Sequence, residues 1–173
     1  MLLVCLTACR TADNHSSDSE IAAENASKIL DALLENDTDV NLLSDSGARI
    51  ANLSGGDLSA SIMEKITYEI KSTEQGTEFT VVRVSFTFPD VVSMVEAFAK
   101  EQGNHEFSDW LISTLNGTYP TEEKEIELQL IEKDSGQYLI VTNELYNILS
   151  GGAVNYMIAQ EKEAYESWLE QKE

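Results

Sequence analysis

The chain has 173 residues, 31 acidic against 11 basic, and a formal charge of −20, while 42% of it is apolar. That balance excludes nucleic acid and anionic lipid as electrostatic partners, because a polyanion offers phosphates no counter-charge. The apolar share is too high for a disordered chain, so the acidity reads as the solvated surface of one folded domain, which at about 150 residues buries ~68–70% of its unfolded surface.

The chain opens on the apolar run Leu2-Leu3-Val4-Cys5-Leu6, followed by Thr7-Ala8, Cys9 and the polar segment Arg10 to Ser19. An apolar stretch closed by small residues is the pattern of an export signal, and Leu6-Thr7-Ala8-Cys9 resembles the lipobox of bacterial lipoproteins. The resemblance implies that residues 1–8 are a signal peptide, removed on export, and that Cys9 carries the lipid anchor, with acyl chains such as palmitate. It places the protein on the extracytoplasmic face of the bacterial cell membrane. No Lys or Arg precedes Arg10, so the signal reads as truncated. The competing reading makes residues 1–9 a buried strand or helix end, but an apolar run followed at once by polar and small residues is a poor start for a packed element.

Two acyl chains, each contributing on the order of 0.8 kcal/mol per buried CH₂, give stable anchoring. Residues 9–19 would then be a flexible tether about 17 Å in r.m.s. length and at most ~35 Å extended. With Cys5 removed and Cys9 acylated, the domain over residues 20–173 holds no thiol for a disulfide or a metal-thiolate site. No later segment approaches the ~20 apolar residues of a spanning helix.

Ser17-x-x-Glu20 fits a capping box, and Ala22, Ala26, Ile29, Leu30 and Leu33 recur at helical spacing, which predicts a helix from about Asp18 to Glu35. Residues 40–65 are mixed, with room for one or two short helices and with Gly47 and Gly55-Gly56 as breakers. Ile66 to Lys71 alternates apolar with polar residues and predicts a strand, turning at Thr73 to Gly76. The returning strand runs from Phe79 to Phe88, with Val82, Val84, Phe86 and Phe88 on one face. Phe79 and Val81 have the other parity, so a bulge is expected near Val81-Val82. Pro89-Asp90 starts a helix with Val91, Val95 and Phe98 on one face, and a second follows from Glu106 to Leu115 with Phe107, Trp110, Leu111 and Thr114 inward.

A second hairpin is carried by Ile126, Leu128 and Leu130, the turn Asp134-Ser135-Gly136 and the return from Gln137 to Val141. Asn143 is the expected N-cap of a helix with Leu145, Ile148 and Leu149, broken by Gly151-Gly152. A long acidic helix from about Val154 closes the chain, with the stripe Val154, Ile158, Tyr165, Trp168 and Leu169. Two hairpins separated by helices predict an α+β fold: a curved antiparallel sheet of about four strands on the N-terminal helix, with a helical insert between hairpins and a C-terminal helix. Together with the lipobox and the ending Tyr138 to Gly152, this order resembles small lipoproteins of gut Gram-positive bacteria with cystatin-like or nuclear-transport-factor-2-like domains of unknown function. The resemblance implies a sheet wrapped on a helix and supplies no catalytic residue.

Residues able to carry chemistry are sparse. Only His15 and His105 exist, without a Gly-x-Ser-x-Gly turn to present a nucleophile, so triad catalysis is not expected. Asn104-His105-Glu106 with Asp109 reads as a solvated helix start rather than a metal site. Asp37-x-Asp39-x-Asn41 opens like a calcium loop, but its sixth position is Leu42 and its twelfth Ala48, so it reads as an Asx-rich turn. The glycine pairs lack the spacing and lysine of a phosphate loop. No catalytic residue, metal or cofactor is therefore expected.

Tyr68, Phe86, Phe88, Trp110 and Tyr138 could line a pocket in the sheet concavity or form its core. Arg83, Glu69, Glu127 and Glu132 fall on the polar parity. The expected function is that of a non-enzymatic, lipid-anchored binding domain for a small apolar ligand or a partner envelope protein. Two alternatives stay open: an isomerase- or dehydratase-like enzyme with a buried carboxylate in the concavity, and a structural accessory protein of the envelope.

Overall fold

The computed structural model describes residues 13–35, 42–43, 57–101, 106–133 and 136–170. The expectations for residues 1–12, for Asp37-x-Asp39-x-Asn41, for His105 and for Asp134-Ser135 lie outside the described residues, as does the side chain of His15. The fold is α+β, with six helices among the described residues and an open five-stranded sheet, four strands of which are antiparallel. In chain order the elements are α1 (Asp13–Leu34), β1 (Leu42–Leu43), α2 (Asp57–Met63), β2 (Thr67–Gln75), β3 (Phe79–Pro89), α3 (Val91–Lys100), α4 (Phe107–Leu115), β4 (Thr121–Lys133), β5 (Gly136–Ile140), α5 (Asn143–Leu149) and α6 (Ala153–Glu170). The sheet order is β1-β5-β4-β3-β2, in which β1 adds a two-residue parallel edge, Leu42 opposite Leu139 and Leu43 opposite Ile140.

Alternation along β3 and β4 puts one face of the sheet in the core. Thr80, Val82, Val84, Phe86 and Phe88 are buried on β3, and Ile126, Leu128 and Leu130 on β4. The expected bulge at Val81-Val82 is absent. It lies on the partner strand instead, where the register steps from Ile70 opposite Val84 to Ser72 opposite Arg83 and leaves Lys71 as the extra residue. The physical consequence is a change of parity: Tyr68 and Ile70 face the core before the bulge, and Thr73 and Gln75 pair with Val82 and Thr80 after it. Gln75 Oε1 accepts a 3.0 Å hydrogen bond from buried Thr80, and Thr73 Oγ1 donates one of 3.0 Å to the Ser19 carbonyl on α1. The strand therefore outlasts its period-2 pattern, and the turn falls at residues 76–78 rather than at Thr73 to Gly76.

Helix α1 lays Ala26, Leu30 and Leu33 on the sheet, joined by Leu145, Ile148 and Leu149 of α5. It starts earlier than Asp18, so the backbone of residues 13–19 is helical where a flexible tether is expected, and Ser17-x-x-Glu20 lies inside the helix rather than at its cap. The contact of Ser19 with Thr73 explains the extension, since it docks the early turns on the sheet. The N-cap of α5 is Thr142, not Asn143: Thr142 Oγ1 accepts from the Leu145 N–H at 3.2 Å. A second apolar cluster, of Ile62, Val91, Met94, Leu111 and Leu115, forms between α2, α3 and α4.

Helix α5 ends in a Schellman motif. The Gly152 N–H donates to the Asn147 carbonyl at 2.8 Å and the Gly151 N–H to the Ile148 carbonyl at 2.9 Å, with φ of 85° and 63°. The Gly151 carbonyl accepts from the Val91 N–H at 3.0 Å, which ties this joint to the start of α3. Buried Asn147 completes it by accepting the Asn155 N–H of α6 on its Oδ1 at 2.8 Å. The pair expected as a plain helix break thus sets how α3, α5 and α6 meet.

Candidate functional site

The inner face of the sheet is covered by packed side chains. Phe86 and Phe88 are 0% exposed and sit in the main core with Tyr68 partly buried beside them, the Tyr68 and Phe86 rings 6.1 Å apart. Tyr138 lies under the ammonium of Lys133, 5.7 Å from its ring centre. Trp110 belongs to the second cluster, where Phe98, Phe107 and Trp110 pack with ring centres 5.2 to 6.4 Å apart. Of the five aromatic residues that could line a pocket or form the core, Tyr68, Phe86 and Phe88 thus belong to the main core, Trp110 packs on the second, and Tyr138 lies half-buried on β5.

The open space is at the helical end. A pocket of about 360 Å³ lies against the second cluster, walled by Leu58 and Ile62 of α2, Val91 and Val95 of α3, and Phe107 and Leu111 of α4. Its remaining wall is the joint described above, with Leu149 and Ser150 at the end of α5 and Ala153, Tyr156 and Met157 on α6. Hydroxyls come from Ser59, Ser150 and Tyr156, and no carboxylate, ammonium, guanidinium or imidazole lies among the described lining residues. The Ser150 hydroxyl is held by the joint, donating to the Asn147 carbonyl at 2.8 Å and accepting from the Val154 N–H at 3.3 Å. Such a site offers dispersion and desolvation with few polar contacts. It suits a neutral apolar molecule, since an anion would meet no cation there and the body around it is strongly negative. Helical periodicity exposed the individual apolar faces, but nothing in it signalled that five helices leave a gap where they converge.

Other candidate groups are arranged as solvated polar clusters. Among the described residues no Asp or Glu is buried; Glu69, Glu127 and Glu132 are exposed, and so is Asp109. Arg83 is exposed on the outer sheet face, 2.8 Å from Glu127 and 3.5 Å from Glu125, and these carboxylates raise its pKa. Ion pairs this open contribute little to stability. No group of three or more His, Cys, Asp or Glu among the described residues could hold a metal, and no described helix is long and apolar enough to cross a membrane.

One polar cluster is built into the α1–β2 contact. The Tyr68 hydroxyl donates to Asp31 Oδ1 at 2.6 Å and accepts from the Ser27 hydroxyl at 2.7 Å. Burial first, and then the hydrogen bond to Asp31, push the phenol up to about 12, against a lowering by Ser27. A phenol that holds its proton more tightly when folded stabilises the fold fully below its unfolded pKa of about 10, and that contribution is lost as pH rises from about 10 to about 12. Absorbance titration of the phenolates is expected to show one tyrosine ionising late. Tyr68→Phe should remove that step and flatten the fall in thermal stability across the same pH range, whereas an unchanged titration would show that Tyr68 is not the late group.

Comparisons with protein-family models, with curated proteins and with solved structures find no match.

Proposed function

We propose that the chain is a lipid-anchored, extracytoplasmic binding domain that takes a small neutral apolar molecule in the pocket between α2, α3, α4 and α6. The observation that carries the binding half is the apolar, charge-free lining of that pocket in a chain of net charge −20. At about 360 Å³ its volume falls in the range of ~300–1,000 Å³ used by small-molecule sites. The anchoring half rests on Leu6-Thr7-Ala8-Cys9 as a lipobox. A membrane anchor would hold the pocket near the source of apolar molecules, which partition into the bilayer.

The full chain, titrated with the neutral dye Nile red, is expected to bind one equivalent with a blue-shifted emission, and native mass spectrometry should show the one-to-one complex. Absence of a saturable site would remove the binding reading. In a bacterial host, metabolic labelling with an alkyne palmitate analogue should mark the wild type and leave Cys9→Ser unmarked. Equal labelling of both forms would refute the anchor and leave the pocket to be judged by its own titration.

A further inference from the structure

Helix α6 leaves the body after its first turn. Ala153 and Tyr156 pack at the joint, but every residue from 157 to 168 is exposed, about 18 Å of helix at ~1.5 Å per residue. Its exposed side chains still form a stripe. Met157 is 56% exposed, Ile158 58% and Tyr165 60%, and the Tyr165 ring stacks on that of Trp168 with centres 5.9 Å apart. Of the stripe read from the sequence, Ile158, Tyr165 and Trp168 are exposed, with Met157 beside them. An exposed apolar stripe of this kind calls for an occupant.

Glu161 decides which one. It lies four residues after Met157, three after Ile158 and four before Tyr165, in the middle of the stripe. No ion pair reaches it among the described residues, and Lys162, at the edge of the stripe, is turned to Glu166 at 3.9 Å. Any surface that covers the stripe desolvates this carboxylate and must bring it a cation. A second copy would bring the two acidic helices together. A lipid surface is disfavoured because helices that lie on membranes carry Lys and Arg on the polar face, where α6 carries Glu163 and Glu166. We infer that α6 is the docking helix for a partner protein's basic amphipathic segment, whose apolar face covers Met157, Ile158 and Tyr165 and whose Lys or Arg meets Glu161.

The probe is a fluorescein-labelled amphipathic peptide of Leu and Lys at helical spacing, with a scrambled peptide of equal composition as control, each titrated into the full chain by anisotropy. The amphipathic peptide should bind at least about tenfold more tightly than the scrambled one, and Glu161→Lys should lose about tenfold or more. Glu163→Lys makes the same charge change on the other side of the helix and should alter affinity by less than about threefold. Ile158→Ser with Tyr165→Ser should lose binding while leaving the melting temperature unchanged, since neither side chain packs on the body. Equal binding of the two peptides, or equal losses from the two lysine variants, would reduce the interaction to general attraction by an acidic protein and overturn the inference. So would a dimer of the chain in light scattering without peptide, or uptake by zwitterionic phosphatidylcholine vesicles.

Discussion

Gly151→Ala is expected to lower the unfolding free energy by about 3 kcal/mol, the sum of a left-handed backbone for a residue with a Cβ and of overpacking at a tight joint. The added Cβ would stand 2.4 Å from Val91 Cγ2 and 2.7 Å from the Pro89 carbonyl oxygen, at φ +63°. Val91 could turn aside, but the Pro89 oxygen is backbone and belongs to the last pair of the β3–β4 ladder, opposite Thr121. Relief must therefore come from moving the joint, which strains the hydrogen bond from the Val91 N–H to Gly151. Gly152→Ala is the control. Its φ is +85°, but the nearest atom beyond its chain neighbours, Val92 Cγ2, is 3.6 Å away, so only the conformational cost of about 1–2 kcal/mol applies. In a chain of this size each kcal/mol moves the melting temperature by about 2–4 °C, so calorimetry should find Gly151→Ala about 6–12 °C below wild type, and Gly152→Ala about 2–8 °C below wild type and less than Gly151→Ala. Equal shifts would mean that the α3–α5–α6 joint is looser than its distances imply.

Phe86→Ala is expected to cost about 3–5 kcal/mol and to leave Nile red affinity unchanged, at a temperature where both proteins are folded. Phe86 has no exposed surface, and truncation leaves a cavity among side chains anchored on β3, β4 and α1 that have little freedom to collapse. Ala153→Phe should do the reverse. Ala153 is half-buried on the pocket wall, and a phenyl group there occupies space the dye needs, so affinity should fall at least about tenfold, or ~1.4 kcal/mol, with little change in stability. Chemical denaturation and dye titration of the two variants separate core from site. Loss of dye binding in Phe86→Ala with retention in Ala153→Phe would put the ligand against the inner face of the sheet and contradict the proposed pocket.

Most of the architecture was legible along the chain because it rests on local periodicity. The alternation of Val82, Val84, Phe86 and Phe88, and of Ile126, Leu128 and Leu130, marks the buried face of the sheet without reference to any other segment. Asp90 declares the start of α3, its Oδ1 accepting the Ser93 N–H at 3.0 Å. Element ends were less legible where a distant contact overrides the local signal. Helix α1 extends past its capping box as Thr73 bonds Ser19, and β2 outlives its pattern as Lys71 bulges and changes the parity.

The candidate site was not legible, because a gap is a property of several surfaces at once. Phe107 reads the same on a helical wheel whether it completes a core or borders a space. The exposure of α6 was hidden for the same reason, since Met157, Ile158 and Tyr165 form an apolar stripe that a helix would equally use to pack. Charge, hydrophobic period and turn residues determined an acidic α+β domain with two hairpins and a helical insert. Which apolar faces find partners, and which are left around a pocket or facing water, was decided by how the helices meet in three dimensions, including the left-handed joint at Gly151-Gly152, beyond whose first turn α6 is exposed.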